Sequence, residues 1–186
     1  MAAPPEPRQP ELSPTGRVIL GMIAMGRTTG YDIKQLVDKT TRFFWAASYG
    51  QIYPELRRLE ALGLVRGRSE PAGARARTVF ELTDAGERAL RDWLASDVES
   101  AYELRDEGML KLFFSDSLPE RRIENIRAMR VRQERKLAQL RAIEPHAEHG
   151  PLGSYLTLQL GISSTECFIE WCAATERRLA AEPGSE

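Results

Sequence analysis

The stretch Ser48-Tyr49-Gly50-Gln51-Ile52-Tyr53-Pro54-Glu55-Leu56-Arg57-Arg58-Leu59-Glu60-Ala61-Leu62-Gly63-Leu64-Val65-Arg66-Gly67-Arg68, continued to Thr83, decides how this chain folds. Its opening reads as a capping box, with the Ser48 hydroxyl accepting from the Gln51 backbone N–H while the Gln51 side chain reaches back. Ile52, Leu56, Leu59 and Leu62 then recur at helical spacing along one stripe, so the helix has a buried face, and Gly63 supplies a left-handed stop. Pro54 removes the N–H that would bond to Gly50 and is expected to loosen or bend the first turns. Residues 64–68 and 75–82 read as two strands around a turn-rich tip at 69–74, and Thr83 caps a further helix to about residue 96 that buries Leu90, Trp93 and Leu94. A capped helix, a strand, an arginine-loaded tip and a returning strand make a groove-reading helix followed by a β-wing.

The face of that helix opposite its apolar stripe carries Tyr49, Gln51, Tyr53, Arg57 and Arg58. These amide, phenol and guanidinium groups are the kinds that meet base edges and phosphates. Net charge is −1, so an affinity for nucleic acid has to come from local distribution. Between positions 57 and 77 there are six arginines against two glutamates, whereas positions 98–186 hold twelve Lys/Arg against fifteen Asp/Glu. The basic excess therefore coincides with the helix and hairpin. Taken alone, the hairpin is equally well a solvated surface element; behind such a helix its arginines are read as entering a minor groove or gripping a backbone.

At 186 residues, 42% hydrophobic and 28% charged, the chain has the composition of a soluble globular protein. No apolar run approaches the ~18 residues of a membrane span, and the N-terminus lacks the order of a signal peptide, so no membrane partner and a cytoplasmic location are expected. Cys167 and Cys172 lie five apart on a predicted helix, about 140° around its axis, which makes a bridge between them implausible and reads both as reduced core residues. His146 and His149 sit in a Pro/Gly-flanked segment and are too few to build a metal site with those cysteines. No phosphate loop, nucleophile elbow or Ser/His/Asp order is present, so neither an enzyme nor a cofactor is expected.

Around the central stretch, residues 1–11 hold four prolines without periodicity and read as a disordered arm. Ser13-Pro14 opens a helix through Met25, with Gly26 ending it, and a second helix runs from Thr28-Thr29 to about Asp38, its N-terminal N–H groups available to a phosphate. Phe43, Phe44 and Trp45 read as an apolar plug seating the groove-reading helix. Beyond residue 97 the pattern changes to long helices: one over 102–115, a second from the capping box Ser117-Leu118-Pro119-Glu120 to about Glu144, a loop at 145–153, and a last helix over about 152–181. In that last helix the apolar residues, among them Leu156, Leu160, Phe168 and Trp171, occupy more than one face, and a second subunit is the natural cover. The fold class is thus mainly α: an arm at 1–11, a winged helix-turn-helix with a two-stranded wing at 12–97, and an antiparallel long-helix dimerisation and effector-binding region at 98–182.

Gly30-Tyr31-Asp32-Ile33, Trp45, Gly50-Gln51-Ile52-Tyr53-Pro54-Glu55-Leu56-Arg57-Arg58-Leu59-Glu60, Gly63-Leu64-Val65 and Phe80-Glu81-Leu82-Thr83 with Gly86 closely resemble the winged-helix domain of PadR-type transcriptional regulators. Residues 12–94 carry this resemblance; the remainder is more loosely similar to the helical dimerisation domain of the longer, virulence-activator-like members. The resemblance implies a homodimer on a pseudo-palindromic, double-stranded operator, usually acting as a repressor, with DNA released on binding a small phenolic or other hydrophobic effector. It further implies Tyr31 and Lys34 near phosphates, Ser48, Gln51 and Tyr53 at the major groove, and Arg75 and Arg77 in the wing contact. One departure stands out: where the family often has Arg-Pro-Arg-Lys-Tyr-Tyr, this chain has Arg75-Ala76-Arg77-Thr78-Val79-Phe80, losing a proline, a lysine and two phenols.

A second reading is a winged-helix module for protein–protein contact, its arginine-rich hairpin meeting an acidic partner. The polar face of residues 48–58 speaks against it, because a protein interface is more often apolar at its centre. For an effector, either Met109, Phe113 and Phe114 or Tyr102, Tyr155 and Trp171 supply apolar lining, and core packing explains the same residues.

Overall fold

A computed structural model describes residues 12–44, 49–72, 75–97 and 105–181, without the side chains of Arg42, Tyr49, Ala72, Arg75 and Ala76. The arm at 1–11, Trp45, Ser48, the tip at 73–74, Tyr102 and Leu104 lie outside the described residues. The chain divides into two units, residues 1–100 and 101–186.

In the first unit, α1 (Pro14–Ala24) starts where Ser13 accepts from the Gly16 N–H at 2.9 Å and ends before Gly26, whose φ of 81° only glycine adopts readily. Thr29 caps α2 (Gly30–Lys39) by accepting from the Asp32 N–H at 3.0 Å. The expected capping box at 48–51 involves Ser48 and so lies outside the described residues. A single 3₁₀ turn over Tyr49–Gln51 leads into α3 (Ile52–Ala61), and Gln51 precedes the helix without a side-chain capping bond. Pro54 explains this entry. Counted from Ile52 it falls in the first α-turn, where N–H groups have no helical partner, so its missing N–H costs α3 no helical bond.

β1 (Val65–Ala72) and β2 (Arg75–Leu82) pair antiparallel, from Val65 opposite Leu82 to Ala72 opposite Arg75. The wing is therefore longer than expected: Ser69, Glu70, Pro71 and Ala72 belong to the first strand and not to a turn. Pro71, opposite Ala76, is tolerated because each strand of a two-stranded sheet has an open edge for the missing N–H. Thr83 accepts from the Gly86 N–H to cap α4 (Asp84–Ala95). Ile19, Leu20, Ile33, Ile52, Leu56, Leu59 and Val65 form the fully buried centre of this unit, with Leu90 at its margin and Trp93 packed against it. Leu94 and Phe44 were expected inside, yet they are 68% and 62% exposed. Leu94 lies four positions beyond Leu90, in the last turn of α4.

In the second unit, Asp106 caps α5 (Glu107–Phe113) through the Gly108 and Met109 N–H groups, so this helix starts later than the expected residue 102. Two 3₁₀ turns, Ser115–Ser117 and Pro119–Arg121, replace the expected box at 117–120 and deliver the chain to α6 (Arg122–Ala147). Arg122 holds this corner, donating to Ser115 Oγ and pairing with Asp116. Pro145 lies inside α6 and not in the following loop, because in a last turn it removes only one helical bond. Residues 148–151 connect to α7 (Leu152–Ala180), which runs antiparallel to α6, as the cross-links Arg130–Glu176, Arg141–Glu166 and Gln159–Glu144 require. Ile126 and Met129 of α6 and Cys172 and Leu179 of α7 form their buried core. Among the described residues no helix is long and apolar enough to cross a membrane.

Candidate nucleic-acid interface

Ile52, Leu56 and Leu59 are buried, which turns Tyr53 and Arg57, four apart, to the solvent side of α3 with Gln51 exposed just ahead of them. Glu55 fixes this presentation. Its Oε1 accepts from Ser13 Oγ at 2.6 Å and from Arg58 Nη1 at 2.9 Å, tying α3 to the cap of α1. Arg58, expected among the reading residues, is thus engaged at Glu55. Gln51 Oε1 accepts from Thr15 Oγ1 at 3.3 Å, which leaves its amide N–H₂ aimed elsewhere.

The start of α2 lies under Tyr53. A β-carbon on Gly30 would stand 2.6 Å from Tyr53 Cε1, so the ring rests directly on the glycine backbone. Tyr31 is 61% exposed and accepts from the Gln35 amide; Lys34, one turn along from Tyr31, is also exposed. One rung of the wing, Gly67 opposite Phe80, is tied both to the segment before α2 and to the end of α3. The Phe80 N–H donates to the Thr28 carbonyl at 2.7 Å beside a Thr29–Val79 bridge, and the Gly67 N–H donates to Glu60 Oε1 at 2.9 Å. Thr83 Oγ1 donates to the Gly63 carbonyl at 2.6 Å.

Strand alternation puts Val65, Phe80 and Leu82 toward the core and Arg66, Arg68, Glu70, Arg77 and Glu81 on the outer face. That face is less basic than its arginines suggest. Glu70 lies opposite Arg77 and is 3.3 Å from Arg77 Nη2 and 2.8 Å from Arg68 Nη2, while Arg66 is 3.8 Å from Glu81. From the sequence Glu70 reads as part of a turn; only the strand register brings it against both arginines. The seats at Gly30 and Glu55 were equally invisible, since they join residues far apart in the chain. Ser48 and the side chains of Tyr49 and Arg75 lie outside what the structure describes.

In the second unit, Leu156 and Leu160 are exposed along one stripe of α7 with Leu152, and Trp171 is half exposed. Phe168 instead packs against the α6/α7 core and meets Trp171 edge-on at 6.2 Å. Met109, Phe113 and Phe114 are exposed, the latter two in a T-shaped pair, so packing within the unit does not account for them. Glu176 accepts from Arg130 Nε at 2.8 Å and from Arg127 Nε at 3.4 Å, and the Arg130 guanidinium holds its carboxyl below the usual carboxylate range. Cys172 is buried, which pushes its thiol up, but Cys167 is exposed and not a core residue. Among the described residues no group of three His, Cys, Asp or Glu side chains is placed to hold a metal ion.

Residues 19–92 match the family model described as Transcriptional regulator PadR-like family, and residues 104–180 match the Virulence activator alpha C-term model. The Negative transcriptional regulator PadR of Bacillus subtilis (strain 168) is 29% identical over 164 residues, spanning 82% of this chain and 90% of the relative. The crystal structure of Bacillus subtilis PadR in complex with operator DNA superposes with a TM-score of 0.79 at 27% identity, covering 88% of this chain and 97% of that one. The same protein in complex with p-coumaric acid gives a TM-score of 0.75 at 24% identity, over 91% and 99% of the two chains.

Proposed function

Because the chain belongs to the PadR-like family of DNA-binding transcriptional regulators and carries a virulence-activator-type C-terminal unit, we propose that it is a homodimeric repressor of a pseudo-palindromic operator. In this reading residues 12–97 bind DNA and residues 98–182 dimerise. Two copies of α3 enter successive major grooves about one helical turn apart. Ser48, Tyr49, Gln51 and Tyr53 meet base edges there, with Arg57 beside them; Tyr31 and Lys34 meet phosphates at the start of α2; Arg75 and Arg77 meet the backbone from the wing. The observation that carries this assignment is the joint exposure of Gln51, Tyr53 and Arg57 on a helix whose other side is locked into the core.

Leu156, Leu160 and Trp171 of α7, with Phe168 behind them, form the surface that a second copy covers. A small aromatic acid releases the operator; the support is the relative's complex with p-coumaric acid. The test is selection of binding sites from a pool of random duplexes. An enriched inverted repeat with half-sites about 10 base pairs apart supports the reading, and a pool without enrichment contradicts it.

A further inference from the structure

We infer that Glu70 is an electrostatic clasp on the wing, competing with phosphates for Arg68 and Arg77 and so restraining sequence-independent DNA binding. The inference rests on the DNA-binding reading of this unit. Its basis is the hairpin register, which sets Glu70 across from Arg77 on the same face as Arg68, one carboxylate at 2.8 and 3.3 Å from two guanidinium groups. Both arginines are largely exposed, at 70% and 58%, whereas Glu70 is 30% exposed, so the clasp lies on the open surface where a duplex would dock.

Each guanidinium that turns to a phosphate gives up its bond to Glu70, and the carboxylate is then left facing the polyanion. The wing therefore contributes less to non-specific affinity than three outward arginines would. Base contacts from α3 must supply a correspondingly larger share of operator affinity, and the preference for operator over random DNA rises. Arg66 has its own partner in Glu81, at the looser distance of 3.8 Å, so each of the three arginines described on the outer face lies near a carboxylate. An exposed ion pair of this kind contributes little to folding, which is why a role in binding is the better account of it.

Glu70→Gln keeps the shape of the side chain and removes its charge. On a duplex of random sequence, fluorescence anisotropy over a range of salt is expected to show tighter binding by about 5- to 10-fold near 0.1 M salt, with log K falling more steeply by about one unit per decade, the signature of one further neutralised phosphate. Thermal melting by circular dichroism should be nearly unchanged. In an Arg77→Gln background the gain from Glu70→Gln should shrink. Unchanged or weaker binding of Glu70→Gln, or a full gain without Arg77, would overturn the clasp. Wild-type protein with no salt-dependent affinity for any duplex would instead overturn the DNA-binding reading itself, so the two failures are separable.

Discussion

The Tyr53 ring lies on the backbone of Gly30, with Cε1 2.6 Å from where a β-carbon would stand, so the exposed face of α3 and the N-terminus of α2 form one surface. Any side chain at position 30 must push that ring outward. Gly30→Ala is expected to leave the unit folded at a cost of about 1–3 kcal/mol and to weaken operator binding roughly 10-fold. Thermal melting and anisotropy on the same preparations check both halves; unaltered binding would detach Tyr53 from the interface.

Gln51 and Arg77 are expected to fail differently. Gln51→Ala should lower the preference for operator over random duplex by about 1–3 kcal/mol, since it removes a base-edge donor and acceptor. Arg77→Ala should weaken both duplexes by similar factors and reduce the salt dependence. Parallel anisotropy titrations against the two duplexes read this directly, and an unchanged ratio for Gln51→Ala would mean that the reading face has been misassigned.

Gly86 is held more strictly than any residue of the interface. A β-carbon there would stand 1.9 Å from the Leu64 carbonyl oxygen, a backbone atom that also accepts from the Thr83 N–H at 3.1 Å. Gly86→Ala must separate α4 from the start of the wing, and a loss of more than about 3 kcal/mol is expected. Urea unfolding monitored through Trp93 should register it.

The Glu176 carboxyl has its pKa lowered from 4.5, first by the hydrogen bond from Arg130 and then by the charges of Arg130 and Arg127 against an opposing effect of burial. A group with a depressed folded pKa contributes stability above its unfolded pKa and loses it as pH falls through the folded value. Wild type should therefore melt a few degrees above Glu176→Gln at pH 7, and the gap should close as pH drops below about 4. A gap independent of pH would assign the effect to packing.

Leu156→Glu with Leu160→Glu places two charges on the exposed stripe of α7. Sedimentation equilibrium at micromolar concentration is expected to show dimers for the wild type and monomers for this variant, with helical content retained. Persistent dimers would move the proposed interface elsewhere.

Much of this molecule was legible before its structure. Ser13, Thr29 and Thr83 cap helices where a hydroxyl precedes an apolar period, and Gly26 and Gly63 end helices with φ of 81° and 68°. Such signals are local, so the sequence displays them. The groove-reading helix reads as starting at residue 48, whereas the α-helix proper starts at Ile52 after a 3₁₀ turn over Tyr49–Gln51, with Pro54 in its first turn. Ser69 to Ala72 looked like a turn by composition, yet pairing with the second strand extends them. The seat of Tyr53 on Gly30 and the bonds of Glu55 to Ser13 and of Glu70 to Arg77 come from tertiary register, which no periodicity reports. Exposure of Phe113 and Leu94 was missed for the same reason, because apolar character alone does not say what lies opposite.

Sequence-selective DNA binding through α3 is most directly tested by anisotropy of the purified protein on the selected duplex and on its scrambled counterpart across a range of salt. Selective binding by about 10³-fold or more, weakening on both duplexes as salt rises, is the expected result. Equal, weak binding to the two duplexes at every salt concentration would contradict it.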